Sequence, residues 1–542
     1  MKQNVHPVLV VGAGPVGLTM AAELARHGVR CRIVDRLASP SAYCRAIGVT
    51  PRTLEVWDDM GIVREMIDAG LWLTGMRLIV NGAQPKDLLL DLSDLPYGHL
   101  GLPQYETERI LGERVSRFGI QVERPVTLAS LRQDDDAIHA KLERADGSCE
   151  EATFHHVVGC DGAHSTVRKA LQIPFEGERF PLDFMLGDVR IDWDLPRGLA
   201  MRAIHVREGE APDMFIAIPL PESNRYRVSM VAPDTLPGGS LDASAEHGIQ
   251  TERAGPPLPL LQKIADRLAI GKPRLSDLRW SSIFRISMRL AQRYADGNAF
   301  IAGDAAHIHP PTGGQGMNTG IQDAYNLAWK MALVLKGEAR KSLLESYEYE
   351  RLPVGADVVA RTRAQSESIG RAEGKRDRLA DTQILISYRN TKWVKESLAD
   401  EPPDLAPRAG DRAPDCDGLR MENVRSPLRM FDVLRGTSFV LLIYYSDPLQ
   451  PAQTSFLDNL ASGLRSKYGS LVRVVLISNA ETGNPAVIGV TIMRDSDGAF
   501  ATAYQAQSET AYLIRPDGYI GCHMRPVTEN GIVGYFDDLG LR

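Results

Sequence analysis

The sequence predicts an α/β protein: a parallel-sheet domain, an inserted sheet of mainly antiparallel strands, and a smaller α/β domain at the C-terminal end. Three observations predict it. Residues 8–35 read as strand, glycine turn, helix and strand; residues 215–231 hold two alternating apolar runs around a turn; and beyond residue 405 strand-like runs alternate with a helical stretch. A chain of 542 residues with 44% hydrophobic content provides for two or three domains with sizeable cores.

In the first segment, Val8, Leu9, Val10 and Val11 form the short apolar run of a strand buried on both faces, and Gly12, Gly14 and Gly17 follow at GxGxxG spacing. Gly12 permits the turn, Gly14 lets backbone approach a pyrophosphate, and Gly17 lets the helix pack close to the strand. Pro15 opens that helix, whose N-terminus offers free N–H groups and a positive dipole end to phosphates. Gly28 follows its end, and a second strand over residues 29–35 ends in Asp35, about twenty residues beyond Gly14, where a ribose hydroxyl is held. Asp35 and the adjacent Arg36 are therefore candidate dinucleotide ligands. The plainer alternative is a tight βα turn with no ligand, and the motif by itself does not separate FAD from NAD. Residues 8–25 have the apolar length of a membrane span, but Pro15 and the glycines argue against one.

Two further segments follow in order. Residues 157–168 carry Asp161-Gly162, an ordinary turn pair if taken singly. Residues 298–307 read as strand into turn at Gly303-Asp304, where Asp304 taken alone is a helix cap or turn residue. A glycine-rich loop over residues 310–320 then feeds a helix in which Ile321, Ala324, Ala328, Met331 and Leu335 repeat at helical spacing. Backbone donors and a helix dipole at such a loop suit a negatively charged group, with Gly314, Gly316, Met317 and Asn318 as candidates.

With these three segments in this order, residues 5–365 resemble the single-component (group A) flavoprotein aromatic hydroxylases, the family of p-hydroxybenzoate hydroxylase and phenol hydroxylase. The resemblance implies FAD as cofactor, with Gly303 and Asp304 at its ribityl chain and Asp161 at its pyrophosphate. The helix-terminal residues Gly314, Gly316, Met317 and Asn318 would face N1 and the C2 carbonyl. It implies that Arg45 lies on a mobile loop near the flavin, that Gln104 contacts FAD, and that the backbone carbonyl of Pro311 lies beside the reacting oxygen. Arg45 and Pro311 are the catalytic candidates. The implied reaction is reduction of FAD by NADH or NADPH, uptake of O₂ to a C4a-hydroperoxyflavin, and hydroxylation of a phenolic or polycyclic aromatic ring. A homodimer is the family expectation, and six cysteines without CxxC or zinc spacing make reduced thiols in a cytoplasm the simplest reading. Ile47 stands where the phenol hydroxylase type has an aspartate base; Tyr226, His205 and His309 are weaker substitutes for it. Baeyer–Villiger chemistry on the same scaffold and a non-catalytic FAD-binding regulator are the alternatives. A halogenase would need a second tryptophan near Asp192-Trp193, which is lacking.

The fold class is thus a p-hydroxybenzoate hydroxylase-like, Rossmann-type FAD domain (1–72, 101–180 and 288–365) with an inserted substrate sheet (73–100 and 181–287). Residues 366–405 read as a helical segment and linker. Residues 406–542 resemble the thioredoxin-like C-terminal domain of the phenol, pentachlorophenol and polyketide hydroxylase branch. The six cysteines make no CxxC and no zinc spacing, so neither thiol redox chemistry nor a bound metal is expected. A net charge of −7 with no basic stripe argues against nucleic acid.

Overall fold

The computed structural model describes residues 5–40, 44, 46–134, 137–207, 213–233, 248–249, 255–268, 271, 273–310, 314–367, 377–479 and 486–542. Strand Val5–Val11 lies mid-sheet in the parallel order Ala299–Ile301, Cys149–Gly159, Val5–Val11, Cys31–Val34, Val122–Glu123. Val8, Leu9 and Val10 are completely buried, as a strand covered on both faces requires. Helix Pro15–Arg26 follows at once, and Gly28, at φ +80°, ends it in the left-handed conformation.

The inserted sheet runs Gly248–Ile249, Arg274–Ala291, Phe175–Asp192, Arg225–Val231, Asp213–Pro219, Leu199–His205, Gly75–Val80, Lys86–Leu89. The hairpin expected around residue 222 is present, and the Gly75–Val80 strand joins the sheet in parallel with Leu199–His205. The end of the 73–100 stretch does not join: His99–Gly101 pairs with Gly48–Val49 and Leu71–Leu73 in a small sheet of its own. Phe175–Asp192 and Arg274–Ala291 run past the expected boundaries at both ends of the insertion, because their 18-residue length carries them from one domain into the next.

Strand alternation gives this sheet two distinct faces. Met185, Val189, Phe215, Ala217, Tyr226, Val228 and Met230 share one face with Leu261, Ile264 and Leu268 of helix Leu258–Leu268. The opposite face carries, in register across four strands, Trp280, Asp188, Arg227 and Ile218.

The C-terminal sheet runs Lys395–Leu398, Ile520–Arg525, Thr510–Ile514, Phe439–Tyr445, Val472–Ser478, Val490–Arg494, Arg420–Met421. Its first strand lies inside the stretch expected to be a helical segment and linker. Lys395–Leu398 pairs in parallel with Ile520–Arg525, which satisfies the backbone of an edge the sequence pattern does not mark. Phe439, Leu441 and Ile443 face one core and Val440, Leu442 and Tyr444 the other. Cys522 lies in the first core and Cys416 in the second. All six cysteines are free thiols. Among the described residues, no helix is long and apolar enough to cross a membrane.

This domain docks on the first through buried charge. Arg515 makes a two-pronged pair with Glu350, at 2.6 and 2.9 Å, and Lys330 meets the same carboxylate at 2.7 Å; all three are essentially inaccessible to solvent. Burial by itself raises the Glu350 carboxyl, but the Arg515 and Lys330 charges outweigh it and bring it down to about 2. Desolvation wins at Lys330, whose ammonium falls to about 8, so the cluster is still ionic at neutral pH. A folded value below the ordinary 4.5 means that the stabilisation from Glu350 is complete above that pH and is lost as pH falls toward 2. Thermal unfolding followed from pH 6 to pH 3 should therefore show a falling Tm, and a Glu350→Gln variant, already weakened at pH 7, should fall less steeply. Parallel slopes would mean that another carboxylate governs acid sensitivity.

Candidate active site

The three sequence segments converge around the start of helix Pro15–Arg26. Gly12 has φ +98°, and a Cβ there would stand 2.4 Å from the carbonyl oxygen of Cys160, so the first glycine turn and the 157–168 segment are in backbone contact. A Cβ on Gly17 would lie 1.8 Å from the Gly12 oxygen. One on Gly320 would lie 2.9 Å from Gly303 Cα and 2.7 Å from a methyl of Val16, which joins the third segment to the same helix. At Gly14, by contrast, a Cβ would meet nothing within 4 Å, and no side chain caps the helix there. The helix N-terminus thus opens onto a space walled by glycine backbone, the cradle a pyrophosphate needs.

Around this space, Asp35 accepts hydrogen bonds from Ala13 N–H (2.7 Å) and Leu37 N–H (2.8 Å) and pairs with Arg124 at 3.1 Å. It ties the glycine turn to the second strand, and a carboxylate retains acceptor capacity beyond two such bonds. Arg36 is exposed. Asp161 accepts from Thr166 N–H at 2.6 Å through Oδ2, while its buried Oδ1 has no hydrogen-bond partner, and burial raises its pKa. Asp304 is exposed on the short turn Gly303–Ala305. An open helix N-terminus, a glycine-walled cradle and an orphaned acceptor on the DG turn fit a bound dinucleotide.

Asp323, which sequence reasoning missed, holds the centre of this arrangement. Fully buried on helix Gln315–Leu335, it accepts from Gly303 N–H (3.1 Å) and from Arg351 Nε (2.8 Å), and lies 2.7 Å from His307 Nε2. Burial opposes its ionisation, but the neighbouring His307 and Arg351 outweigh that and lower its pKa. Its one sequence signal is a carboxylate at Gly320 plus three, on the buried face of an apolar helix.

The glycine-rich loop ends at Gly314 rather than Gly320, since Gln315–Gly320 already belong to the helix; Gly314 has φ +67°, and its Cβ position is 3.6 Å from Gly48 Cα. Gly314, Gly316 and Met317 lie in the first turn of that helix, whose N–H groups have no partner within the helix itself. Asn318 comes after them and acts through its side chain: the amide donates to the carbonyls of Gly48 (2.8 Å) and Gly314 (2.7 Å) and accepts from Thr50 N–H (3.0 Å). Gln104 is likewise engaged with protein, accepting from Ala46 N–H at 3.1 Å and donating to Glu108 at 2.8 Å. Gln383, also unforeseen, donates to Gln315 (2.6 Å) and Thr319 (2.9 Å). Arg45 and Pro311 lie outside the described residues.

Ile47 is buried with Cys44 and Leu220, against Tyr105, Ile218 and Trp280, so an apolar wall stands where a base was sought. Of the substitutes, Tyr226 packs edge-on to Trp193 on the far face of the sheet, His205 lies at a strand end, and the ring Nδ1 of His309 is 2.8 Å from the Pro310 carbonyl.

Residues 6–362 match the FAD binding domain family. The chain belongs to this family of flavin monooxygenases. The monooxygenase is 33% identical over 540 residues to a flavin-dependent monooxygenase of Mycobacteroides abscessus, covering 97% of each chain. It is 37% identical to the 6-methylpretetramide 4-monooxygenase of Streptomyces rimosus, over 95% of this chain and 90% of that one. Its fold matches that of an aklavinone-11 hydroxylase solved with FAD and aklavinone, with a TM-score of 0.79 at 24% identity over the whole of both chains. The monooxygenase is therefore an oxidoreductase that uses FAD with NADPH or NADH.

Proposed function

We propose that this monooxygenase hydroxylates a phenolic or fused polycyclic aromatic compound held between the inner face of the large sheet and the loop that ends at Gly48. In this reading Gly12, Gly14, Pro15 and Gly17 cradle the pyrophosphate, Asp161 lies beside it and takes a hydroxyl of the dinucleotide on its free oxygen, Asp35 and Arg36 hold the ribose end, and Gly303 and Asp304 the ribityl chain. Gly314, Gly316 and Met317 face the ring, and Asn318 and Gln104 hold the loops that enclose it. When bound, FAD carries two electrons from NADH or NADPH to O₂, so that one oxygen atom enters the aromatic ring and the other leaves as water. The protein's own part is to orient the ring, exclude water and balance charge.

The observation that carries the substrate reading is the composition of that inner face. Arg227 is buried, with its guanidinium 5.3 Å from the centroid of the Trp280 ring; Asp188, in register between them, is paired with Arg225 at 3.3 Å, and Ile218, Leu220 and Ile47 complete the wall. A flat apolar ring bearing an acidic oxygen suits an aromatic wall with one cation. The aklavinone-11 hydroxylase and the 6-methylpretetramide enzyme bear names of polycyclic substrates, which supports the larger end of the range.

The mixed C-terminal sheet with helices Pro451–Tyr468 and Glu529–Leu539 supports a thioredoxin-like reading of that domain, and Cys416 and Cys522 in opposite cores leave it without a dithiol. A homodimer acting in the cytoplasm completes the proposal.

NADH and NADPH oxidation in air, measured against phenols, hydroxybenzoates and polycyclic phenols, tests it. Substrate-stimulated oxidation with a product heavier by one oxygen, and a new aromatic C–OH by NMR, is the expected result. A ring-expanded ester would assign Baeyer–Villiger chemistry instead. Oxidation that no aromatic compound accelerates, with hydrogen peroxide as the sole product, would overturn the substrate class.

A further inference from the structure

The turn at residues 515–519 of the C-terminal domain sits in the angle between three helices of the flavin domain. It reaches helix Pro51–Asp59 where Arg52 donates to the Asp517 carbonyl at 2.9 Å and lies 5.0 Å from the centroid of the Tyr519 ring. On helix Gln315–Leu335, the Tyr325 hydroxyl, which donates to Asp59 at 2.7 Å, lies 3.3 Å from the Pro516 carbonyl, and Asn326 and Trp329 donate to the Asp517 carboxylate at 3.3 and 3.2 Å. On helix Glu345–Glu367, Glu350 takes both prongs of Arg515, and Arg351 donates to Tyr388, whose ring is 4.3 Å from that of Tyr519.

Two of these helices begin at the flavin site. Helix Pro51–Asp59 is capped by Thr50, whose N–H donates to Asn318 Oδ1, and helix Gln315–Leu335 starts at Gly314 against Gly48. The third carries Arg351, which holds Asp323 and the Thr319 carbonyl. A second row of charges runs along the outer part of the same interface: Arg429 and Arg435 on Asp58, at 2.8 and 2.5 Å, and Gly436 N–H on Asp59 at 2.9 Å. A surface whose only duty was solubility or tethering would not need three arginines and a buried aromatic stack directed at the helices that form the site.

We propose that the 515–519 turn is a positioning element of the flavin site: by gripping the three helices together it fixes the loops at Thr50 and Gly314 that enclose the isoalloxazine ring. Arg515, Asp517 and Tyr519 act through Arg52, Asn326 and Glu350. The proposal rests on the flavin-site reading above, and it makes the C-terminal domain part of the catalytic unit although its own cysteines carry no chemistry.

The test uses the full-length protein with Arg515→Met, Arg515→Lys and the milder, nearly isosteric Asp517→Asn. FAD dissociation constants by fluorescence titration of apoprotein, visible circular dichroism of the bound flavin, and hydrogen peroxide released per NAD(P)H in the presence of the panel compound that the wild type hydroxylates are measured on the soluble fraction. Arg515→Met should weaken FAD binding at least tenfold, alter the flavin dichroism and at least double the peroxide fraction, with Arg515→Lys in between. Asp517→Asn should move all three in the same direction and keeps the test decisive if Arg515→Met does not fold. A lower Tm with wild-type FAD affinity, dichroism and coupling would reduce the turn to a structural brace and overturn the proposal. Failure of the wild-type protein to bind FAD would instead overturn the site reading beneath it.

Discussion

Gly17→Ala should purify without yellow colour and be less stable than the wild type even as apoprotein, whereas Gly14→Ala should fold normally and lose FAD. The two glycines are three residues apart in one motif, yet the structure treats them oppositely. A methyl at Gly17 lands 1.8 Å from the Gly12 carbonyl oxygen and 3.3 Å from Cys160 Cβ. The nearest obstacle is backbone, which cannot rotate aside, so either the turn opens or the helix moves off the strand. Overpacking of this kind costs about 1–3 kcal/mol, and a backbone collision belongs at the upper end. At Gly14 the same methyl meets nothing within 4 Å and φ is −77°, so alanine is conformationally acceptable. Alanine is a poor helix N-cap, and its cost there is about 1 kcal/mol. What it does occupy is the space assigned to the pyrophosphate. The check is the 450 nm absorbance per protein of each purified variant, followed by urea unfolding of the apoproteins, since bound FAD would itself raise stability. Gly14→Ala with full flavin content would place the pyrophosphate elsewhere.

Asp323→Ala should destabilise the flavin domain by about 3–5 kcal/mol, the range found when one partner of a buried ion pair is removed. Its carboxylate is the acceptor for Arg351 at 2.8 Å and Gly303 N–H at 3.1 Å and lies 2.7 Å from His307; none of these side chains reaches solvent. Removing it leaves a guanidinium in a low-dielectric interior and releases the turn that presents Asp304. Asp323→Asn keeps an acceptor for Arg351 but turns an amide N–H₂ toward Gly303 N–H or His307. It should therefore fold better than the alanine variant and still lose flavin affinity. Denaturant unfolding of both apoproteins, with FAD titration of whichever is soluble, checks this. An alanine variant within about 1 kcal/mol of wild type would show that the cluster is dispensable.

Much of the site was legible in the sequence because glycine requirements are local. A turn that needs φ +98° at Gly12, or a helix that must touch its strand at Gly17, is marked by residue type at fixed spacing. The apolar runs at 8–11 and 439–445 were equally plain, since a strand buried on both faces has no polar alternation to obscure it. Lys395–Leu398 was missed because an edge strand of four mixed residues carries no periodic signal and acquires its state only from its partner. Asp323 and Gln383 were missed for a related reason. Each is a single polar residue whose meaning comes from groups 20 to 68 positions away: Gly303 and Arg351 in one case, Gln315 and Thr319 in the other.

The sequence by itself determined the class of this protein: a dinucleotide-binding α/β domain with an inserted sheet and an α/β tail, placed among FAD-dependent hydroxylases by three ordered motifs. Those follow from short-range rules of chain geometry, which residue type and spacing record directly. Only the tertiary structure decided that the three motifs meet within contact of one helix start, that Asn318 and Gln104 hold loops with their side chains, and that the tail docks on the first domain through Arg515 and Glu350. These are partnerships between distant positions, and a side chain's donors and acceptors are assigned only once folding has brought in the groups that complete them.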